Sequence, residues 1–111
     1  MIFITGPMFS GKRAFAMRLL GCDEDALADR CACDVQDLAA ACGDLAALAD
    51  ELSRYDAVTA AELGGGVVPL DPKEREARER AGRLACLLAE RSDTVVRVFC
   101  GIPRVLKGEL K

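Results

Sequence analysis

A chain of 111 residues, 51% apolar and with four prolines, is sized for one domain with its own core, and its composition excludes general disorder. A net charge of −3 gives no field that would favour nucleic acid or an anionic membrane, so an anionic ligand must be held by local groups. No apolar run approaches a membrane span and the short apolar start lacks a basic leader, which makes the cytoplasm the expected compartment.

Residues 1–5 read as a short strand and residues 14–20 as a helix. Between them Gly6-Pro7-Met8-Phe9-Ser10-Gly11-Lys12-Arg13 follow the pattern G-x-x-x-x-G-K-S/T at seven of eight positions. In that pattern backbone N–H groups curl around phosphate oxygens and the lysine reaches the terminal phosphates. The helix N-terminus behind the loop adds a favourable field. Residues Gly6, Pro7, Met8, Phe9, Ser10, Gly11, Lys12 and Arg13 are therefore the candidate nucleotide-binding positions, with Lys12 also a candidate catalytic residue. One position departs: Arg13 stands where a Ser or Thr hydroxyl would ligand Mg²⁺.

Gly21 is placed to end the first helix. The acidic residues 22–30 lack strong periodicity and read as a solvated connector, with Asp23 able to cap a short helical turn. Residues 30–35 read as a very short buried strand ending at Asp34. There Asp34 either holds Mg²⁺ through water at the C-terminal edge of an open sheet, or caps a helix expected over residues 35–41. Asp44 caps a packing helix whose residues 45, 48, 49 and 52 share one face. A third strand over residues 56–61 leads into Glu62 and the run Gly64-Gly65-Gly66, which suits a ligand-facing loop or a flexible turn. Glu62 joins Asp34 as a candidate catalytic and Mg²⁺-binding acid.

Asp71, Pro72 and Glu74 are placed to open a long helix with Ala77, Ala81, Leu84, Ala85 and Leu88 as its apolar stripe. Glu74/Arg78, Glu76/Arg80 and Glu79/Arg83 fall at i,i+4 spacing on its solvated face. Residues 95–100 form the clearest strand, and Gly101-Ile102-Pro103 turn it into a tail over residues 104–111. Such alternation predicts an α/β fold: a P-loop NTPase-like three-layer domain spanning residues 1–111, with a small, mainly parallel sheet of about four strands. So small a sheet leaves edges that oligomers often cover.

The cysteines Cys22, Cys31, Cys33, Cys42, Cys86 and Cys100 contain one C-x-C and no C-x-x-C, and there is no histidine. The usual zinc patterns are excluded, and the cysteines read as reduced, small apolar side chains rather than metal or redox groups. Without histidine, any catalysis must rest on carboxylates, Lys, Arg or positioning.

Three pieces in order resemble one family. Ile4-Thr5-Gly6 through Gly11-Lys12 is similar to its opening loop, and Glu62-Leu63-Gly64-Gly65-Gly66-Val67-Val68-Pro69 to its N-E-V-G-x-G-I-V-P element. Arg75-x-x-Arg78-Glu79-x-x-Gly82-Arg83, Asp93-x-Val95 and Gly101-x-Pro103-x-x-Leu106-Lys107 resemble its closing helix, strand and tail. The family is the adenosylcobinamide kinase/adenosylcobinamide-phosphate guanylyltransferase of cobalamin biosynthesis. The resemblance implies ATP or GTP at the loop, Mg²⁺, a corrinoid substrate and a homo-oligomer, a trimer.

Departures from the family pattern shape the expectation. Family members are longer, and the histidine that becomes guanylylated has no counterpart here. One ungapped alignment puts Cys33 at its position, whereas the alignment that preserves element order makes Asp34 the acid ending the second strand. Ala61 replaces an Asn before Glu62, and Ala85-Cys86 replace an Asn-Gln pair. The expected protein is a shortened, kinase-like member that phosphorylates a corrinoid hydroxyl, with guanylyl transfer lost. The alternatives are a non-catalytic nucleotide- or corrinoid-binding pseudoenzyme or regulatory subunit, and a vestigial anion nest.

Overall fold

Aspartates open three of the helices, each by accepting a backbone N–H that the first turn would otherwise leave unpaired. Asp23 accepts from Ala26 at 2.9 Å, Asp44 from Ala47 at 3.1 Å and Asp71 from Lys73 at 2.9 Å. The computed structural model describes residues 1–62 and 71–110. In it these caps start α2 (Glu24–Arg30), α4 (Leu45–Leu52) and α5 (Pro72–Arg91). The first helix, α1 (Lys12–Leu20), ends at Gly21, whose N–H donates to the Met17 carbonyl. A 3₁₀ turn, Val35–Asp37, precedes the four-residue α3 (Leu38–Ala41).

The strands are β1 (Ile2–Gly6), β2 (Cys31–Ala32), β3 (Ala57–Ala61), β4 (Thr94–Phe99) and β5 (Ile102–Lys107), in the order β2-β3-β1-β4-β5. The first four run parallel to their neighbours and β5 is antiparallel to β4. Side chains alternate across the sheet. Phe3, Val58, Ala60 and Val95 pack with Leu52, Leu84 and Leu88 on one face. Ile4, Ala57, Val96 and Val98 pack with Phe15, Ala16 and Leu27 on the other. Helices therefore cover both faces, giving the expected three layers.

Strands β1 and β3 are neighbours, yet α1 leaves β1 on one face and α5 packs on the opposite one. A crevice opens between their C-terminal ends, which is where open α/β sheets take ligands.

Several expectations are corrected. Among the described residues the sheet has five strands rather than about four, because the expected tail returns as β5. Cys100 and Gly101, at φ 51° and 77°, form a two-residue turn of the kind that suits the twist of a hairpin. Ile102 and Pro103, expected in the turn, lie in an edge strand, where the missing N–H of Pro103 is tolerated. The acidic segment after Gly21 is a helix rather than a connector, since Asp23 caps it and Leu27 anchors it in the core. The helix expected over residues 35–41 divides into the 3₁₀ turn and α3. The run Gly64-Gly65-Gly66 lies outside the described residues.

Of the expected ion pairs on α5, Glu79/Arg83 forms at 2.6 Å. Arg80 instead donates to the carbonyls of Ala39 and Cys42, binding the unpaired end of α3 to α5. All six cysteines are free. Cys31 alone among them is buried, and burial pushes its thiol up to about 12, while Cys86 and Cys100 are exposed. No helix among the described residues is long and apolar enough to cross a membrane.

Leu84 is 1% exposed between α5 and the sheet, and Leu106 is 54% exposed on β5. Leu84→Ala is expected to cost about 2–5 kcal/mol, whereas Leu106→Ala should stay within about 0.5 kcal/mol. Urea unfolding midpoints check the contrast; equal shifts would contradict the packing described.

Candidate functional site

The loop begins where no side chain fits. Gly6 has φ +149°, and a Cβ there would stand 2.1 Å from the Val98 carbonyl oxygen. Beyond it, Phe9 is held at φ 59° although its side chain is 98% exposed. Its own packing cannot impose that conformation; the backbone around it does. The Gly101 N–H donates to the Ser10 carbonyl at 2.8 Å, and the Phe15 N–H donates to the Gly11 carbonyl at 3.0 Å as α1 begins. Asp34 has the same sparsely populated conformation, at φ 55°. Two such residues line one cleft, as strained backbone at a functional site often does.

The cleft has a volume of about 560 Å³. Loop residues 8–13 and Met17 form one wall; Asp34, Gln36, Asp37, Thr59 and Ala61 form the other. Two side-chain hydrogen bonds fix the second wall. Thr59 Oγ1 accepts from the Asp34 N–H at 2.9 Å, and Gln36 Oε1 accepts from the Ala61 N–H at 2.9 Å. Asp34 makes no side-chain cap bond to the turn that follows it, so its carboxylate is left to the cleft wall.

Lys12 is 6% exposed, and its Nζ donates to the Pro7 carbonyl at 2.7 Å across the loop. Burial lowers its pKa, and the charges of Asp34 and Glu62 act in the opposite direction. Ser10 is 5% exposed, and its hydroxyl finds no hydrogen-bond partner among the described residues. A buried polar group in that condition costs about 1–3 kcal/mol, and an anion's oxygens within the loop would relieve it.

Glu62 is positioned differently from Asp34. Its N–H donates to the Gly6 carbonyl at 2.8 Å, which ties the end of β3 to the start of the loop. Its carboxylate accepts twice from Arg97, at 2.7 Å from Nε and 3.0 Å from Nη2. This fork holds the Glu62 carboxyl below its usual range, with the Arg97 guanidinium also 5.6 Å from the Phe99 ring centre. Glu62 thus acts on Lys12 by charge while its oxygens are engaged elsewhere.

Arg13 lines the cleft beside Lys12, and its guanidinium lies 3.9 Å from Glu24 at the start of α2. For Mg²⁺ the nearby carboxylates are Asp34, Asp37 and Glu62. Arg97 takes both oxygens of Glu62, and Arg13 brings a cation where a hydroxyl ligand is needed. This donor set does not fit the metal as such a loop ordinarily holds it.

Several residues of the site were not anticipated. Arg97, a charge set in the apolar run Val95-Val96-Arg97-Val98-Phe99, carried a usable signal, as did Thr59 within an apolar strand. Gln36 and Asp37 carried none, because they reach the cleft only through the turn after β2.

The Arg97–Glu62 pair predicts a pH dependence. Because Glu62 is held low, the stability it adds is present above the ordinary glutamate pKa and is lost as pH falls through its lowered value. Between about pH 5 and 3, Arg97→Ala should show a shallower loss of thermal midpoint than the parent chain. Parallel profiles would show that the fork does not set the Glu62 titration.

No curated protein matches the chain. A family model described as cobinamide kinase / cobinamide phosphate guanyltransferase matches residues 23–106. Asp34, Glu62 and Arg97 fall inside that stretch, and the loop at residues 6–13 precedes it. The match covers most of the chain and supports a role in cobalamin biosynthesis with nucleotide binding. The chain belongs to the cobinamide kinase / cobinamide phosphate guanyltransferase family.

Proposed function

We propose that the cleft binds ATP or GTP through residues 6–13 and that the protein transfers the γ-phosphate to the hydroxyl of adenosylcobinamide. The observation that carries this reading is a buried ammonium and a buried, unpartnered hydroxyl inside one backbone loop at the sheet's switch point. Phosphoryl transfer needs positioning and charge neutralisation more than covalent chemistry by the protein, so the lack of histidine does not prevent it. Lys12 exchanges the Pro7 carbonyl for phosphate oxygens. Asp34, on the facing wall, accepts the proton as the acceptor oxygen bonds to the γ-phosphorus and the β–γ bridging bond breaks. The charges of Asp34 and of Glu62, which Arg97 holds, oppose the effect of burial on Lys12. Guanylyl transfer through a histidine has no acceptor in these residues.

The same reading makes the protein cytoplasmic and homo-oligomeric, a trimer by family likeness. The exposed Phe99, Ile102 and Leu106 on the edge hairpin support an oligomer. A second reading, nucleotide or corrinoid binding without chemistry, is favoured by the double hold of Arg97 on Glu62.

A phosphate-transfer assay with adenosylcobinamide and either nucleotide distinguishes the two. Turnover that falls about 10²–10³-fold in Lys12→Ala supports the kinase. Nucleotide binding with no transfer, with or without Mg²⁺, supports the binding module instead.

A further inference from the structure

We propose that Arg13 takes the place of the divalent cation at this loop, so that a nucleoside triphosphate binds without metal. The proposal rests on the phosphate-loop reading given above and adds a charge-neutralising residue that the loop pattern does not contain.

Four observations converge on Arg13. It follows Lys12 in the first turn of α1 and lines the same cleft. The facing wall carries Asp34 and Asp37, whose charges oppose an anion and would be offset by a second cation beside Lys12. Metal coordination is also disfavoured on the donor side, because Glu62 is forked by Arg97 and a guanidinium stands where the ligand hydroxyl belongs. Finally, the contact that occupies Arg13 is loose. Its side chain and that of Glu24 are 59% and 72% exposed and 3.9 Å apart, and surface pairs of this kind hold weakly. Released from Glu24, the planar fork can donate two parallel N–H···O bonds to non-bridging phosphate oxygens, which a lysine cannot do.

Calorimetric titration of the purified chain with ATP, in EDTA and again in excess Mg²⁺, tests this. The parent chain should bind in EDTA with an affinity within about threefold of that in Mg²⁺, and Arg13→Ala should lose about 10–100-fold in EDTA. Arg13→Ser, which restores the missing hydroxyl, should bind ATP better with Mg²⁺ than without, and Arg13→Lys should recover only part of the metal-free affinity. Far-UV circular dichroism confirms that each variant is folded. If the parent binds only with Mg²⁺, or Arg13→Ala binds undiminished in EDTA, the proposal fails while the phosphate loop stands. If the parent binds ATP under neither condition, the loop reading fails and takes the proposal with it.

Discussion

The Val98 carbonyl oxygen lies 2.1 Å from the place a Cβ on Gly6 would occupy, so the chain can leave β1 toward α1 only with glycine there. That close approach sets the loop directly on the sheet edge. Because α1 and α5 cover opposite faces, the loop projects into the crevice between β1 and β3. The rest of the site depends on this placement. It buries Lys12 and Ser10 within the loop, and it faces them with the segment after β2, which the Asp34–Thr59 and Gln36–Ala61 hydrogen bonds fasten to β3.

Electrostatically, the crevice has two levels. Lys12 lies deep, where burial lowers its pKa and the charges of Asp34 and Glu62 oppose that shift. Arg13 lies at the rim, exposed and weakly paired. Glu62 belongs to the scaffold, since its backbone ties β3 to the loop and its carboxylate is held by Arg97. The buried Lys12 ammonium already donates to a backbone carbonyl, that of Pro7.

Much of this was legible in the chain because local chemistry and tertiary demand agree. The glycine–lysine spacing marked the loop, and aspartates at residues 44 and 71 marked helix starts that the structure keeps. Asp34 was recognisable as an acid following a strand, although the strand itself is two residues long. What escaped notice was set by non-local contacts. The hairpin turn at Cys100–Gly101 lacks the usual Asn or Asp, so β5 looked like a tail. Arg80 had an i,i+4 partner in sequence but turns to the carbonyls at the end of α3. Arg97 and Glu62 are 35 residues apart, and only the parallel strand order brings them together.

The central claim is that residues 6–13 close around phosphate. A crystal structure of the chain with a non-hydrolysable ATP analogue tests it most directly. The account predicts phosphate oxygens within hydrogen-bonding distance of Lys12 Nζ, the Ser10 hydroxyl and the loop N–H groups, with the Lys12–Pro7 contact released. A nucleotide bound elsewhere, with Lys12 still on the Pro7 carbonyl, would contradict it.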